Sequence, residues 1–349
     1  MESVERYLQL ADRPNTQRSY AAAVRHFEIE WRGLLPATPD SIAEYLAAYA
    51  SSQSVSTLQT RLAGLSKWHQ DHGFLDPTKS PHVRRVLKGI RTAHNAPQKQ
   101  AKPVEFDLLE QVSGWLSSEL EALSDDGVDR TARLRSARDR AMLLLGFWRG
   151  FRSDELAGLR FENVTVEPGI RMTCLIPRSK ADRGSTGRQF ECPALTRLCP
   201  VEAFLLWKEV SGLTKGPVFR RIDRWGHMSN RSVSPKSIVP WLRGLFTEAG
   251  VADAGAYSSH SLRRGFANWA RSSGWDIKEL MDYVGWRDVN SAMRYLDDNR
   301  QGLALRFEQG LAATKSLPSA PVSRTTGRRR PSSPNAGAKI IPLPVRGSR

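Results

Sequence analysis

The sequence predicts a mainly α-helical protein with a small β-sheet, divided into two domains. Apolar residues recur at helical spacing through most of residues 14–93, as expected for amphipathic helices. Three short segments within residues 163–193, of which the first two are rich in β-branched residues, predict strands. A chain of 349 residues is long enough for two domains with separate cores.

Four short helices are expected in the first domain, residues 1–93. The first begins at Pro14, and the proline-containing segment 34–39 ends it. Asp40 is expected to cap the second helix, because its short carboxylate can accept hydrogen bonds from the first turn. The expected apolar faces are Tyr20, Val24, Phe27 and Trp31 in the first helix, Ile42, Tyr45, Leu46 and Tyr49 in the second, Leu58, Leu62, Leu65 and Trp68 in a third from about Val55 to Gly73, and Val83, Val86, Leu87 and Ile90 in a fourth from about Pro81.

A linker and a mixed second domain follow. Residues 94–103 contain two prolines and no apolar periodicity, which predicts a linker. The second domain is expected at residues 104–314, with a helix over residues 135–148 that enters a buried core. Its strands are predicted at 163–167, 170–177 and 189–193, and helices return from about Val201.

The chain is strongly basic. Lys and Arg outnumber Asp and Glu by 52 to 36, a net charge of +16, and such an excess favours a polyanionic partner such as nucleic acid. A membrane surface is the alternative, but no apolar run approaches the roughly 18–20 residues of a spanning helix. Half of the net charge lies in residues 315–349, which contain eight Lys or Arg, no acid and six prolines and predict a disordered basic tail.

Basic residues also interleave with the apolar positions of the fourth helix. We expect this face to contact DNA, and the alternative is a charged face that only meets solvent. The residues concerned are Arg84, Arg85, Lys88 and Arg91.

Cysteine and histidine usage predicts neither a disulfide framework nor a metal site. The three cysteines, Cys174, Cys192 and Cys199, lack paired ligand spacing, and the N-terminus lacks a signal-peptide pattern, so a reduced, cytoplasmic compartment is expected. His69 and His72 lie three residues apart, but two histidines without further ligands indicate a solvated helix face. We expect no metal and no other cofactor, because no P-loop or Gly-rich nucleotide motif is present.

Five residues in a fixed order have the chemistry needed to break and rejoin a DNA phosphodiester. Arg152 and Arg263 can each offer a planar fork of N–H donors to phosphate oxygens. His260, three residues before Arg263, and the indole N–H of Trp286 can assist them. Tyr295, nine residues after Trp286, supplies a phenol that can attack phosphorus. Each residue alone has an ordinary explanation as a helix cap or a packed ring, but the ordered set predicts function.

This ordered set resembles the tyrosine recombinase family, also called the phage integrases. The resemblance rests on Arg152-x-x-Glu155-Leu, His260-x-x-Arg263, Gly285-Trp286 and Tyr295, and it covers nearly the whole chain. It implies a helical SAM-like core-binding domain followed by a mixed α/β catalytic domain, with Tyr295 as the nucleophile. It also implies that Glu155 orients a basic residue and supports the site from behind.

The resemblance nominates Lys180 as the general acid toward the departing 5′ oxygen. Lys180 is the only lysine between the second and third predicted strands, and the pKa of a lysine shifts readily in a desolvated site. A solvated turn lysine is the alternative. Trp286 takes the position that a second histidine usually holds, as in the Cre-like minority of the family. An indole only donates a hydrogen bond, so position 286 is not expected to move protons.

Three functions are compatible with these features. The first is a site-specific recombinase that forms a covalent 3′-phosphotyrosine without metal or ATP and passes through a Holliday junction. It is expected to act as a homotetramer on a double-stranded DNA recombination site, in the cytoplasm with the nucleoid and with no membrane partner. The second is a type IB topoisomerase, and the third is a DNA-binding regulator without catalysis. The helical N-terminal module and an expected helix at residues 303–311 favour the recombinase.

Overall fold

Helices dominate the structure, a computed structural model that describes residues 6, 14–94, 100–123, 129–177 and 187–293. Two small antiparallel sheets accompany the helices, which confirms the predicted fold class. The described residues form two compact units, one from those within 1–103 and 237–261, the other from those within 104–236 and 262–293. The domain boundaries expected from the sequence stay a prediction. Lys180, Tyr295, the helix expected at residues 303–311 and the tail lie outside the described residues.

Four helices of the first unit lie where the apolar periodicity predicts them. They are α1 (Pro14–Arg25), continued by a π-helical turn over His26–Glu30, then α2 (Pro39–Ala48), α3 (Val55–Asp71) and α4 (Pro81–Ala93). Their apolar faces meet in one core, and tertiary burial of such faces is the main source of stability for short helices. The side chains at its centre have no solvent exposure and are Phe27, Ile42, Tyr45, Leu46, Leu58, Leu65 and Val83.

The start of α2 differs from the sequence prediction. Thr38, and not Asp40, is the N-cap, because Thr38 Oγ1 accepts a hydrogen bond from the Ser41 N–H at 3.1 Å. Pro39 follows at the first helical position, where its fixed φ and missing N–H suit a helix start. Asp40 lies in the first turn, where its charge interacts favourably with the helix dipole.

The second unit begins with two long helices that lead into a short one. These are α5 (Phe106–Ala122), α6 (Arg130–Trp148) and α7 (Ser153–Ala157). Residues 141–148 of α6 are buried without interruption, which confirms the helix predicted to enter a core. A three-stranded antiparallel sheet follows, with β2 in the middle, and its strands are β1 (Val164–Glu167), β2 (Arg171–Ile176) and β3 (Arg188–Pro193).

A second hairpin was not predicted, since helices alone were expected after Val201. After α8 (Pro200–Ser211), strands β4 (Arg220–Ile222) and β5 (Met228–Ser232) pair in antiparallel fashion. Both strands are short and mostly polar, so they lack the alternating apolar pattern that marks a strand. The tight turn between them forms because Asp223 Oδ1 accepts hydrogen bonds from the N–H groups of Trp225 and His227, each at 2.9 Å.

Four further helices complete the described chain. They are α9 (Ile238–Glu248) in the first unit, α10 (Ser259–Ser272), whose residues from Leu262 belong to the second unit, α11 (Ile277–Val284) and α12 (Val289–Met293). Within the second unit, α10 packs directly on α6, because a Cβ at Gly146 would lie only 2.8 Å from Leu262 Cδ1. In the described part of the chain, no helix combines the length and the apolar character needed to cross a membrane.

Candidate active site

Arg152 is the N-cap residue of α7 and is held there by the carboxylate of Glu155. The backbone N–H of Arg152 donates to Glu155 Oε2 at 2.9 Å, and Arg152 Nη1 donates to Glu155 Oε1 at 2.8 Å. The Glu155 side chain is 5% exposed, whereas that of Arg152 is 23% exposed. The carboxylate therefore lies behind the arginine, and the guanidinium keeps an open side toward solvent.

Arg263 approaches the same carboxylate from α10. Its Nη1 lies 4.0 Å from Glu155 Oε2 and donates to the carbonyl oxygen of Gly150 at 2.6 Å. The side chain is only 1% exposed, so its charge is compensated inside the protein by Glu155 and by carbonyl dipoles. Gly150 has a φ of 56°, a left-handed conformation that glycine adopts at little cost and that occurs here between α6 and α7.

The end of α11 places Trp286 against Arg263. Gly285 ends the helix with a φ of 80°, and the N–H groups of Gly285 and Trp286 both donate to the carbonyl oxygen of Met281, at 2.8 and 2.9 Å. The guanidinium carbon of Arg263 lies 5.1 Å from the centroid of the Trp286 ring, within the range of a cation–π contact. Trp286 is buried, with 4% exposure. The structure thus brings Arg152, Glu155, Arg263 and Trp286 together.

His260 is the second residue of α10 and is exposed. Its backbone N–H donates to Ser258 Oγ at 3.2 Å, so Ser258 accepts from the first turn and the imidazole is not the cap. His260 lies three residues before Arg263 in the sequence of α10. Lys180 and Tyr295 lie outside the described residues, and their roles stay predictions.

The structure describes the two tyrosines nearest to the motif in sequence, Tyr257 and Tyr283. Tyr257 is 3% exposed. Burial raises the pKa of Tyr283 well above its usual value, and the nearby Arg149 guanidinium offsets only part of that shift. A nucleophilic phenol must lose its proton and reach phosphorus, which disfavours both the buried Tyr257 and the half-buried Tyr283 with its raised pKa.

The basic face predicted on α4 is formed. Arg84, Arg85, Lys88 and Arg91 are all exposed, while Val83 and Ile90 on the opposite side are buried in the helical core. The charge of these four side chains is therefore directed to solvent, and their contact with DNA stays a prediction. No group of three His, Cys, Asp or Glu side chains suited to a metal occurs in the described ranges.

Sequence reasoning did not single out Arg149, which is buried beside the end of α11. Arg149 is 2% exposed, its Nη2 donates to the carbonyl oxygen of Tyr283 at 2.5 Å, and its guanidinium carbon lies 3.8 Å from the centroid of the Tyr283 ring. The available signal was a charged residue at the end of an otherwise apolar run, Met142 to Trp148, because an arginine that follows a buried helix must find partners inside the protein.

Two arginines gathered around one carboxylate, one of them open to solvent, suit a negatively charged oxygen group such as a phosphodiester. Such a cluster is of the class that phosphoryl-transfer enzymes use to bind phosphate oxygens. Residues 120–301, just over half of the chain, match the sequence profile of the Phage integrase family. The chain belongs to this family and is a site-specific tyrosine recombinase.

Curated relatives match along most of the chain. An "Integrase/recombinase xerD homolog" of Selenomonas ruminantium is 27% identical over 303 residues, which are 84% of this chain and 84% of the relative. "Recombinase cre" of Escherichia phage P1 is 27% identical over 310 residues, 83% of this chain and 84% of the relative. These comparisons support recombination and give no support to the topoisomerase alternative.

Solved structures share the fold. The XerH site-specific recombinase bound to palindromic difH substrate, in a post-cleavage complex, superposes with a TM-score of 0.57 at 18% identity, over 85% of this chain and 79% of that chain. A lambda integrase dimer bound to a COC′ core site gives a TM-score of 0.53 at 16% identity, over 85% of this chain and 77% of that chain. At these identities the likeness establishes the fold.

Proposed function

We propose that this recombinase cleaves and rejoins double-stranded DNA at a specific site through a covalent bond between Tyr295 and a 3′ phosphate. The observation that carries this proposal is the convergence of Arg152 and Arg263 on Glu155, at 2.8 and 4.0 Å. Fixed guanidinium donors stabilise the charge that develops on a phosphate in the transition state, where preorganised donors are most effective. We assign roles to Arg152, Arg263 and Trp286 from their positions in this cluster.

Arg152 is the first contact for the scissile phosphate in this scheme. Its guanidinium is oriented by Glu155 and is partly exposed, so it offers donors to a non-bridging oxygen without further rearrangement. Arg263 is buried, and its Nη1 donates to Gly150 O. We expect bound DNA to exchange that carbonyl for a phosphate oxygen, while the indole N–H of Trp286 adds a neutral donor from the adjacent position.

The strand-transfer step balances without an external energy source. The Tyr295 oxygen attacks phosphorus and loses its proton with help from His260, and the 5′ oxygen leaves with a proton from Lys180. The new phosphotyrosine bond retains the energy of the broken phosphodiester, so rejoining is the reverse attack by a 5′ hydroxyl. These two reaction steps require neither ATP nor a metal ion.

DNA is the partner that this chemistry requires. The structural relatives described as bound to difH substrate and to a COC′ core site support a double-stranded recombination site as the substrate here. We further propose a homotetramer that exchanges four strands in pairs through a Holliday junction, with residues 1–93 as the core-binding domain and residues 104–314 as the catalytic domain. Action on DNA in the cytoplasm, with the nucleoid, follows from the same proposal.

The decisive experiment traps the covalent adduct on DNA that flanks the gene. In a nicked substrate, the short fragment that carries the new 5′ hydroxyl dissociates after cleavage. Rejoining is then impossible, so the phosphotyrosyl adduct accumulates. Sequencing the trapped DNA end maps the cleaved position. Tyr295→Phe should bind the mapped site with unchanged affinity and form no adduct, because it lacks the attacking oxygen. Tyr20→Phe in the helical unit is the matched control and should form adduct at the parental rate. An adduct with Tyr295→Phe would refute the assignment of the nucleophile.

A further inference from the structure

Three arginines hold the last three carbonyl groups of α11. Arg188 Nη2 donates to Asp282 O at 2.8 Å, Arg149 Nη2 donates to Tyr283 O at 2.5 Å, and Arg263 Nη2 donates to Val284 O at 3.5 Å. The three residues come from β3, from the segment after α6 and from α10. We call Arg149, Arg188 and Arg263 the arginine clamp.

These carbonyls are the ones that a helix end leaves without partners. The last four C=O groups of an α-helix lack intrahelical N–H donors beyond the cap, and here the carbonyl of Met281 is used by the N–H groups of Gly285 and Trp286. The three that remain are those of residues 282–284, which the arginine clamp binds. Cations at a helix C-terminus also interact favourably with the helix dipole.

Arg149 is an unusual residue for such a position. It is 2% exposed, and the central carbon of its guanidinium lies 3.8 Å from the centroid of the Tyr283 ring and 4.9 Å from that of Phe190. Its Nε is buried and has no hydrogen-bond partner among the described residues. A buried polar group without a partner reduces stability, so the burial of Arg149 at this position carries a cost.

The arginine clamp holds the end of α11, from which the chain continues to Trp286. Trp286 follows the clamped carbonyls by two residues and contacts Arg263, a clamp member, at 5.1 Å. Arg263 also donates to Gly150 O, one residue after Arg149. A shift of the α11 terminus would therefore move Trp286 relative to the arginine cluster. By sequence, Tyr295 follows Trp286 by nine residues.

We propose that Arg149 and Arg188 are positioning residues for strand cleavage, which act by fixing the α11 terminus and with it Trp286. The inference rests on the proposed function, because the positioned groups are those of the recombination reaction. Neither residue touches phosphate in this scheme. Misplacement of a reacting group by about 1 Å costs on the order of 10²-fold in rate, so removal of the clamp should reduce the cleavage rate and leave DNA affinity unchanged.

The test uses the full chain labelled with 5-fluorotryptophan, in which Trp286→Phe assigns the Trp286 fluorine resonance. Arg149→Met and Arg188→Met each remove the donors while keeping an unbranched side chain. Arg171→Met is the matched control, because Arg171 lies on the same sheet and instead pairs with Glu167 at 2.9 Å. Each variant is measured for its Trp286 resonance, for DNA affinity, and for single-turnover cleavage of the nicked substrate.

We expect Arg149→Met and Arg188→Met to shift the Trp286 resonance and to slow cleavage by about 10²-fold. Their affinity for DNA should stay within about 2-fold of the parental affinity. Arg171→Met should match the parent in all three measurements. If Arg149→Met does not fold, Arg188→Met alone decides, because Arg188 is only half-buried. An unmoved Trp286 resonance, or a moved resonance with parental cleavage, overturns the proposal. An adduct formed by Tyr295→Phe would refute the nucleophile assignment separately and leave the resonance measurement valid.

Discussion

Glu155 accepts two hydrogen bonds from Arg152, one from its backbone N–H at 2.9 Å and one from its guanidinium at 2.8 Å. The same carboxylate therefore completes the first turn of α7 and sets the direction of the arginine side chain. Because each oxygen has its own donor, the guanidinium cannot rotate without breaking a charge-assisted hydrogen bond. The capping of α7 and the orientation of the proposed phosphate-binding group are therefore coupled through one side chain.

Glu155→Gln should separate these two roles. The amide oxygen can still accept from one donor, but the negative charge that compensates Arg152 and Arg263 is removed. We expect cleavage of the nicked substrate to slow by at least about 10-fold, and the free energy of unfolding to fall by about 2 kcal/mol, the range for hydrogen bonds to charged groups. Glu162→Gln is the control, because Glu162 is 48% exposed and pairs with Arg160. A parental cleavage rate in Glu155→Gln would contradict an orienting role.

Arg152→Lys should lose most of its cleavage activity while it binds DNA normally. A lysine ammonium keeps the charge but cannot reproduce the planar fork that bridges Glu155 and a phosphate oxygen. Loss of one preorganised donor reduces the rate by about 10²–10³-fold in comparable sites. Single-turnover cleavage at saturating DNA measures the effect, and Arg160→Lys, at a 51% exposed arginine, should cleave at the parental rate. Equal rates for both variants would assign the phosphate contact elsewhere.

The helices could be predicted because their signals are local. Apolar residues at helical spacing mark α1 to α4, and their burial in one core confirms the pattern. The predicted cap of α2 was wrong by two residues, because Thr38 and Asp40 are both good N-cap residues. Only the backbone shows that the helix begins at Pro39. The β4–β5 hairpin was missed because Asp223 at its turn, and not an apolar alternation, determines it.

The site could be predicted only as a set of residue types. The order of the motifs nominates Arg152, Glu155, Arg263 and Trp286, which the structure brings together. The two arginines differ in solvent exposure, because the Arg263 side chain is 1% exposed and that of Arg152 is 23% exposed. This difference arises from tertiary packing and is not visible in the sequence. The role of Arg149 was also beyond the sequence, because its partners, Tyr283 and Phe190, are separated from it by more than a hundred and by some forty residues.

Asp76 should make the stability of the helical unit depend on acid pH. Burial alone would raise the pKa of Asp76, but hydrogen bonds from Ser66, Thr78 and Lys79 outweigh it and lower the pKa to about 2. A carboxyl whose pKa is lowered on folding stabilises the protein above its unfolded value of 3.8, and this contribution disappears as pH falls toward 2.

Asp76→Asn is therefore expected to reduce the free energy of unfolding by about 1–2 kcal/mol near neutral pH, and by progressively less below about pH 4. Urea denaturation followed by circular dichroism, once near neutral pH and once below pH 4, measures the free energy of unfolding of the variant and of the parent. Asp71→Asn provides the comparison, since Asp71 is 51% exposed and pairs with Lys67, and surface pairs contribute little. The same destabilisation by Asp76→Asn at both pH values would show that its charge is not responsible.

The basic face of α4 should contribute to DNA affinity without affecting the chemistry. Arg85→Ala and Lys88→Ala remove exposed charges and leave the buried residues Val83 and Ile90 untouched. For each phosphate that is no longer neutralised, the slope of log affinity against log salt should become shallower by about 0.9. Cleavage at saturating DNA should stay parental. Lys67→Ala on α3, where Lys67 pairs with Asp71, should leave the slope unchanged, and an unchanged slope for the α4 variants would mean that this face meets only solvent.

The basic tail is the second segment whose positive charge should contribute to DNA affinity. Residues 315–349 carry eight positive charges and no negative ones, in a composition that cannot build a core. Such a segment contacts phosphates without reading bases, so its contribution to affinity should be non-specific and strongly dependent on salt. Truncation after Thr314 should weaken DNA binding at low salt and make the salt slope shallower, by about 0.9 for each phosphate that the tail neutralises. Site choice and cleavage at saturating DNA should be retained. A truncated protein with the parental slope would show that the tail does not touch DNA, whereas failure to cleave at saturating DNA would place residues beyond Thr314 in subunit assembly.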